Sequence, residues 1–172
     1  MSNPQSITPE AFEILVGREL RRIGIEPVQL RRVHRAHHDD RSGYILDLQG
    51  RLEAYGQRWS ALIECRNRQA VLQTADVVAL RARADQGKVA SAVLFTTSDV
   101  DAEAVATARA HAIPLLRVVD AHTALIATGV VQAGQLPAWL PEFTIQIMTS
   151  EGSRLLEANE PELLLRELRP QP

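Results

Sequence analysis

The sequence predicts an α/β fold, a sandwich of helices around a mixed β-sheet. Two observations carry this expectation. Helical and extended patterns follow one another in the order helix, paired strands, helix, strand, helix, strand, which is the signature of strands connected across a sheet by helices. The segments VASAVLFT and IPLLRVV (89–96 and 113–119) are short continuous apolar runs, as strands buried on both faces are. With 172 residues and 45% hydrophobic content, the chain has material for one domain with its own core.

The elements follow in order. Thr8, Pro9 and Glu10 form a helix start: Thr caps, Pro suits the first helical position, and Glu favours the positive end of the dipole. Phe12, Leu15, Val16, Leu20 and Ile23 then recur at helical spacing up to a stop at Gly24. Residues 27–35 read as extended but only partly in register. Residues 36–42 are polar and read as a loop. Residues 44–55 suggest a strand with a bend at Gly50, and Gly56 with Gln57 a turn. Residues 59–65 (WSALIEC) complete a hairpin.

Residues 73–86 are helical and end at Gly87, followed by the strand at 89–96. Ser98 or Asp99 is expected to cap an Ala-rich helix running to His111, and the strand at 113–119 follows. These last two strands should lie parallel with a right-handed crossover. Beyond Asp120 the expectation is a short helix to Thr128, a loop marked by Gly134, Pro137 and Pro141, an alternating strand at 143–148, and a terminal helix at 161–168.

Composition narrows the function. The net charge of −2 carries no global basic signature for nucleic acid, although the first 70 residues are slightly basic and the remainder acidic. The single cysteine, Cys65, excludes an intramolecular disulfide and suits a reducing, cytoplasmic setting. No apolar run reaches the roughly 18–20 residues of a membrane span. No G-x-S-x-G elbow and no phosphate-cradling glycine loop is present.

The chemistry concentrates in two strands. Asp47 stands in an apolar context (YILDLQ), and Glu64 and Arg66 stand in the next strand (ALIECRNR). Residues two apart on a strand share a face, so Glu64 and Arg66 project together while Cys65 points into the core. A hairpin brings Asp47 beside Glu64. Two carboxylates so placed repel each other unless a cation intervenes, and hard oxygen ligands suit Mg²⁺ or Mn²⁺. The bland alternative is a pair of solvated carboxylates and a same-face salt bridge worth about 0–1 kcal/mol. His34, His37, His38, Asp39 and Asp40 fit a polar loop better than a zinc site. Arg18, Arg35 and Arg68, with other arginines, are candidates for phosphate contact.

Four segments together resemble the Mrr-like branch of the PD-(D/E)XK restriction endonuclease superfamily: TPEAFEILVGRELRRIGIE, GYILDLQG, ALIECRNR, and VASAVLFTTSDVDAEAVATARAHAIPLLRVVD. The resemblance covers about residues 7–120. It implies a three-layer α/β/α sandwich over residues 7–128, with residues 129–172 as a C-terminal extension. It implies DNA as partner, and two copies acting together where both strands are cut. By the resemblance Asp47 is the first metal-binding aspartate and Glu64 the second acidic position, often Gln in this branch. The Cys65 backbone carbonyl completes the ligand set for Mg²⁺ or Mn²⁺, and Glu13 helps to build the site. Arg66 stands where the family has its catalytic lysine, and HHDDRSGY replaces a glycine-rich acidic loop. These departures carry a second expectation, a catalytically decayed domain acting as a nucleic-acid-binding or protein-assembly module.

Overall fold

The first helix, α1 (Pro9–Arg22), begins as its sequence dictates: the Thr8 hydroxyl accepts from the Ala11 amide at 3.2 Å, and Pro9 and Glu10 fill the first turn. Phe12, Leu15, Val16 and Leu20 are buried along one stripe, and the chain turns away at Gly24. The computed structural model describes residues 1–33, 43–129, 132, 134, 135, 137–159 and 161–168.

Seven strands form one sheet in chain order: β1 (Glu26–Val33), β2 (Gly43–Ala54), β3 (Gln57–Arg68), β4 (Ser91–Thr96), β5 (Leu115–Asp120), β6 (Phe143–Thr149) and β7 (Gly152–Leu155). The sheet is mixed. β3, β4 and β5 run parallel, and every other neighbouring pair is antiparallel. The crossovers from β3 to β4 and from β4 to β5 are α2 (Thr74–Gln86) and α3 (Ala102–Ala110). Short α4 (Ala121–Ala127) follows β5, and α5 (Pro161–Leu168) ends the described chain.

Strand alternation divides the core into two apolar layers. On one face, Leu46, Leu48, Ile63, Cys65, Val93 and Phe95 pack with α1 and with Leu164 of α5. On the other, Leu62, Ala92, Leu94 and Leu115 pack with Val77, Leu80 and Ala84 of α2 and with Ala104 and Ala108 of α3. The expected three-layer α/β/α sandwich is therefore the observed fold. Among the described residues no helix is long and apolar enough to cross a membrane.

Several local expectations are corrected. Gly50 is not a bend. It lies within β2, opposite a bulge in β1 where the register shifts between Val28 and Arg31 and Gln29 takes φ 57°. A Cβ at Gly50 would stand 2.8 Å from the Gln29 carbonyl oxygen and 2.9 Å from Leu30 Cα, so the glycine admits the close approach of the bulged strand. The same bulge explains why the β1 sequence alternates imperfectly.

The hairpin turn is Tyr55–Gly56 rather than Gly56–Gln57. Both residues have positive φ (51° and 72°), the two-residue geometry that matches strand twist. Asp101, not Ser98 or Asp99, caps α3 by accepting from the Glu103 amide. Ser98 is instead held by Thr96, and the Asp99 carbonyl accepts from the Leu72 amide at 2.9 Å. β6 is present as expected, and it continues into β7, which the sequence did not announce. Both strands extend the central sheet beyond β5.

Candidate active site

The paired carboxylates come from the longest hairpin. In the β2–β3 register Asp47 lies directly opposite Glu64. Leu46 and Leu48 face α1, so alternation turns Asp47 to the α2 side, and Glu64 and Arg66 share that side. All three are buried: Asp47 is 5% exposed, Glu64 0% and Arg66 9%. Charged groups at such depth persist only when paired or when coordinating a cation.

Two guanidinium groups take part in the pairing. Arg66 donates through Nε to Glu64 Oε1 at 3.1 Å, and its Nη1 lies 3.0 Å from Asp76 Oδ1. Arg83 Nη2 donates to Glu64 Oε2 and lies 3.5 Å from Asp47 Oδ1. Asp76 and Arg83 both belong to α2. They are seven residues apart, two turns on one face, with Leu80 between them packing on the sheet. Asp76 also accepts from the Gln73 amide at 2.9 Å in the capping box of α2. One helix thus delivers a carboxylate and a guanidinium to the strand cluster.

Neither Asp76 nor Arg83 was singled out from the sequence. The available signal was their position on the same stripe as Val77, Leu80 and Ala84, polar residues on the buried side of a helix. Beside Arg66, the register places Thr96 and then Arg117 on neighbouring strands. Arg117 is paired with Asp99 at 2.5 Å.

Other expected residues stand elsewhere. Glu13 is ion-paired with Arg32 at 2.9 Å, and the Glu13 hydrogen bond is the main reason the Arg32 pKa is raised. Arg32 lies opposite Leu48 in the β1–β2 register, on the α1 side. Glu13 is therefore across the sheet from Asp47 and Glu64, and the structure does not bring it to them. Arg18 donates to the Phe143 carbonyl at 2.6 Å and pairs with Glu19 at 2.9 Å. That contact joins α1 to β6. Arg68 lies at the end of β3, half-buried, and its Nε has no hydrogen-bond partner among the described residues. Arg35 and the histidine-containing loop lie outside the described residues.

Cys65 is fully buried on the α1 side. Burial first, and the negative charge of Glu64 and Asp47 second, push its thiol well above the ordinary range. It is a packing residue, not a nucleophile.

The donor set is two buried carboxylates joined across a strand pair. Among the described residues no three His, Cys, Asp or Glu side chains gather into a metal cage. A cation held here would rely on one or two carboxylates, with water and substrate oxygens supplying the rest. That is the habit of Mg²⁺ and not of zinc, so the residues present fit a hard divalent ion.

A family model described as restriction endonuclease, Mrr_cat, matches residues 4–123, more than half of the chain. No curated protein and no solved structure shows a significant match.

Proposed function

The chain belongs to the restriction endonuclease family of the Mrr catalytic type, a nuclease family, and on that premise we propose that it is a metal-dependent endonuclease hydrolysing DNA phosphodiester bonds in the cytoplasm. The observation that carries this reading is the direct opposition of Asp47 and Glu64, both buried and on one face of the sheet. Asp47, Glu64 and the Cys65 backbone carbonyl would hold Mg²⁺ or Mn²⁺. When bound, such an ion acidifies water and offsets charge on the phosphodiester.

The chain's own residues supply the rest. Arg66 stands where the family has a lysine. It keeps the positive charge but presents it as a planar, delocalised fork. Its role is to hold phosphate oxygens and neutralise their charge, not to accept a proton. Arg68 and Arg117 carry further positive charge on the same face, and guanidinium groups in this position suit contacts to the strand backbone.

A second reading is favoured by one observation: Arg66 and Arg83 already set positive charge against the carboxylates from within the chain. On that reading the domain is a decayed nuclease that binds nucleic acid or protein without cutting. Titration calorimetry with Mn²⁺ on the wild type and on Asp47→Asn, together with cleavage of plasmid DNA, separates the two. Metal binding that needs Asp47 and accompanies cleavage supports the nuclease. A fold indifferent to the metal and DNA left intact would overturn it in favour of the binding module.

A further inference from the structure

We infer that Arg83 is the resident cation of the carboxylate pair, and that a divalent metal binds at Asp47 and Glu64 by displacing its guanidinium. The inference rests on the nuclease reading above and deepens it.

Two opposed carboxylates on adjacent strands need a positive charge between them. Arg83 supplies it from α2, reaching Asp47 Oδ1 at 3.5 Å and Glu64 Oε2 with the same nitrogen, Nη2. One nitrogen thus donates to Glu64 and stands at ion-pair distance from Asp47, so its positive charge faces both acids. Arg66 does not compete for this place. It approaches Glu64 through the other carboxylate oxygen, Oε1, and is anchored at its far side by Asp76.

Arg83 is also the more releasable of the two. Its side chain is 25% exposed against 11% for Arg66. Its Nε is buried without a hydrogen-bond partner among the described residues, so its seat is incompletely satisfied. It lies in the last turn of α2, on a long side chain that can swing outward while its stem stays packed. The exchange needs no change in the strands: one cation leaves the acids and another takes them.

The test compares the full chain with Arg83→Met, which keeps an unbranched apolar stem but removes the guanidinium and its charge. Without metal, Arg83→Met should melt below the wild type, because the acid pair then loses one of the positive charges set against it. With Mn²⁺ its melting temperature should rise further than that of the wild type. Calorimetry should show Mn²⁺ bound more tightly by about tenfold or more, the equivalent of ~1.4 kcal/mol. Adding Asp47→Asn to Arg83→Met should abolish that gain.

If the wild type binds Mn²⁺ and Arg83→Met binds it no more tightly, the exchange is overturned and the nuclease reading stands. If only Arg83→Met binds, the exchange is supported and the wild-type site is shown to be latched shut. If neither binds, the exchange fails together with metal dependence. Should Arg83→Met not fold without metal, Arg83→Lys replaces the fork with a shorter point charge. An Mn²⁺ affinity above the wild type supports the exchange, and one equal to or below it overturns it.

Discussion

Arg66 is tied to Asp76 at 3.0 Å, so the basic residue on β3 is oriented by the first turn of α2. Asp76 has two duties: one oxygen receives the guanidinium and the other closes the capping box on the Gln73 amide. Asp76→Ala should therefore lower stability by about 1 kcal/mol through the lost cap. It should also leave Arg66 held by Glu64 alone among the described residues and, on the nuclease reading proposed above, reduce cleavage. Mn²⁺ affinity should hardly change, because Asp76 lies on the far side of Arg66 from the paired acids. Urea unfolding and calorimetry on one sample check both parts, and a collapse of metal binding would show that Asp76 belongs to the ligand set.

Glu19 poses a different case of buried charge. It is 0% exposed, and it holds Arg18 at 2.9 Å and Arg22 at 2.8 Å. Those arginines in turn donate to the Phe143 and Leu156 carbonyls, each at 2.6 Å. One carboxylate thereby aims two side chains that fasten α1 to β6 and to the segment after β7. Glu19→Gln should cost up to about 3 kcal/mol, the low end for breaking a buried pair, since both arginines are partly exposed to water. Chemical denaturation measures it. A loss under about 0.5 kcal/mol, the size of an ordinary surface change, would mean the arginines hold their carbonyl contacts without Glu19.

What was legible in the sequence was whatever depends on neighbours along the chain. Thr8 and Pro9 announce α1 because a cap is a local bond, and Asp47, Glu64 and Arg66 emerge because strand alternation has a fixed period. The pairing of Asp47 with Glu64 follows once a hairpin joins their strands. Arg83 and Asp76 were not legible, because their meaning depends on which strands α2 crosses, and helical spacing alone does not say. Glu13 was assigned to the site by resemblance, yet its helix covers the opposite face of the sheet. The bulge at Gln29 and Leu30 hid for a related reason: it breaks the period by which a strand is recognised, and its trace in β2 is one glycine. β7, with four largely exposed residues, offers too little apolar alternation to be seen.

Gly50 tests that account of the bulge. Its backbone needs no unusual angle, so Gly50→Ala examines space alone. The added Cβ would meet the Gln29 carbonyl at 2.8 Å, and backbone cannot swing aside as a side chain can. The expected loss is about 1–3 kcal/mol, the range for overpacking. Hydrogen exchange should show the amides of β1 opening before those of β3. An unchanged midpoint with unchanged m-value would indicate that β1 shifts away at no cost.

Asp120 gives a prediction in pH. It caps α4 by accepting from the Thr123 amide at 2.7 Å, and its second oxygen accepts from the Ser2 amide at 2.9 Å. Burial alone would raise its pKa, but the Thr123 and Ser2 bonds and the nearby His122 outweigh it and hold the carboxyl below the usual aspartate value. A carboxylate with a depressed folded-state pKa stabilises the fold above its unfolded pKa, and that contribution is lost as pH falls through the folded value. Asp120→Asn keeps a capping oxygen but does not titrate. At neutral pH the variant should be less stable by up to about 1 kcal/mol. Below the ordinary aspartate range the gap should close, because protonation takes from the wild type what the substitution took from the variant. Thermal melts of both proteins from neutral pH down through the carboxylate range decide the matter, and a gap that stays constant would mean that the charge on Asp120 contributes nothing beyond its shape.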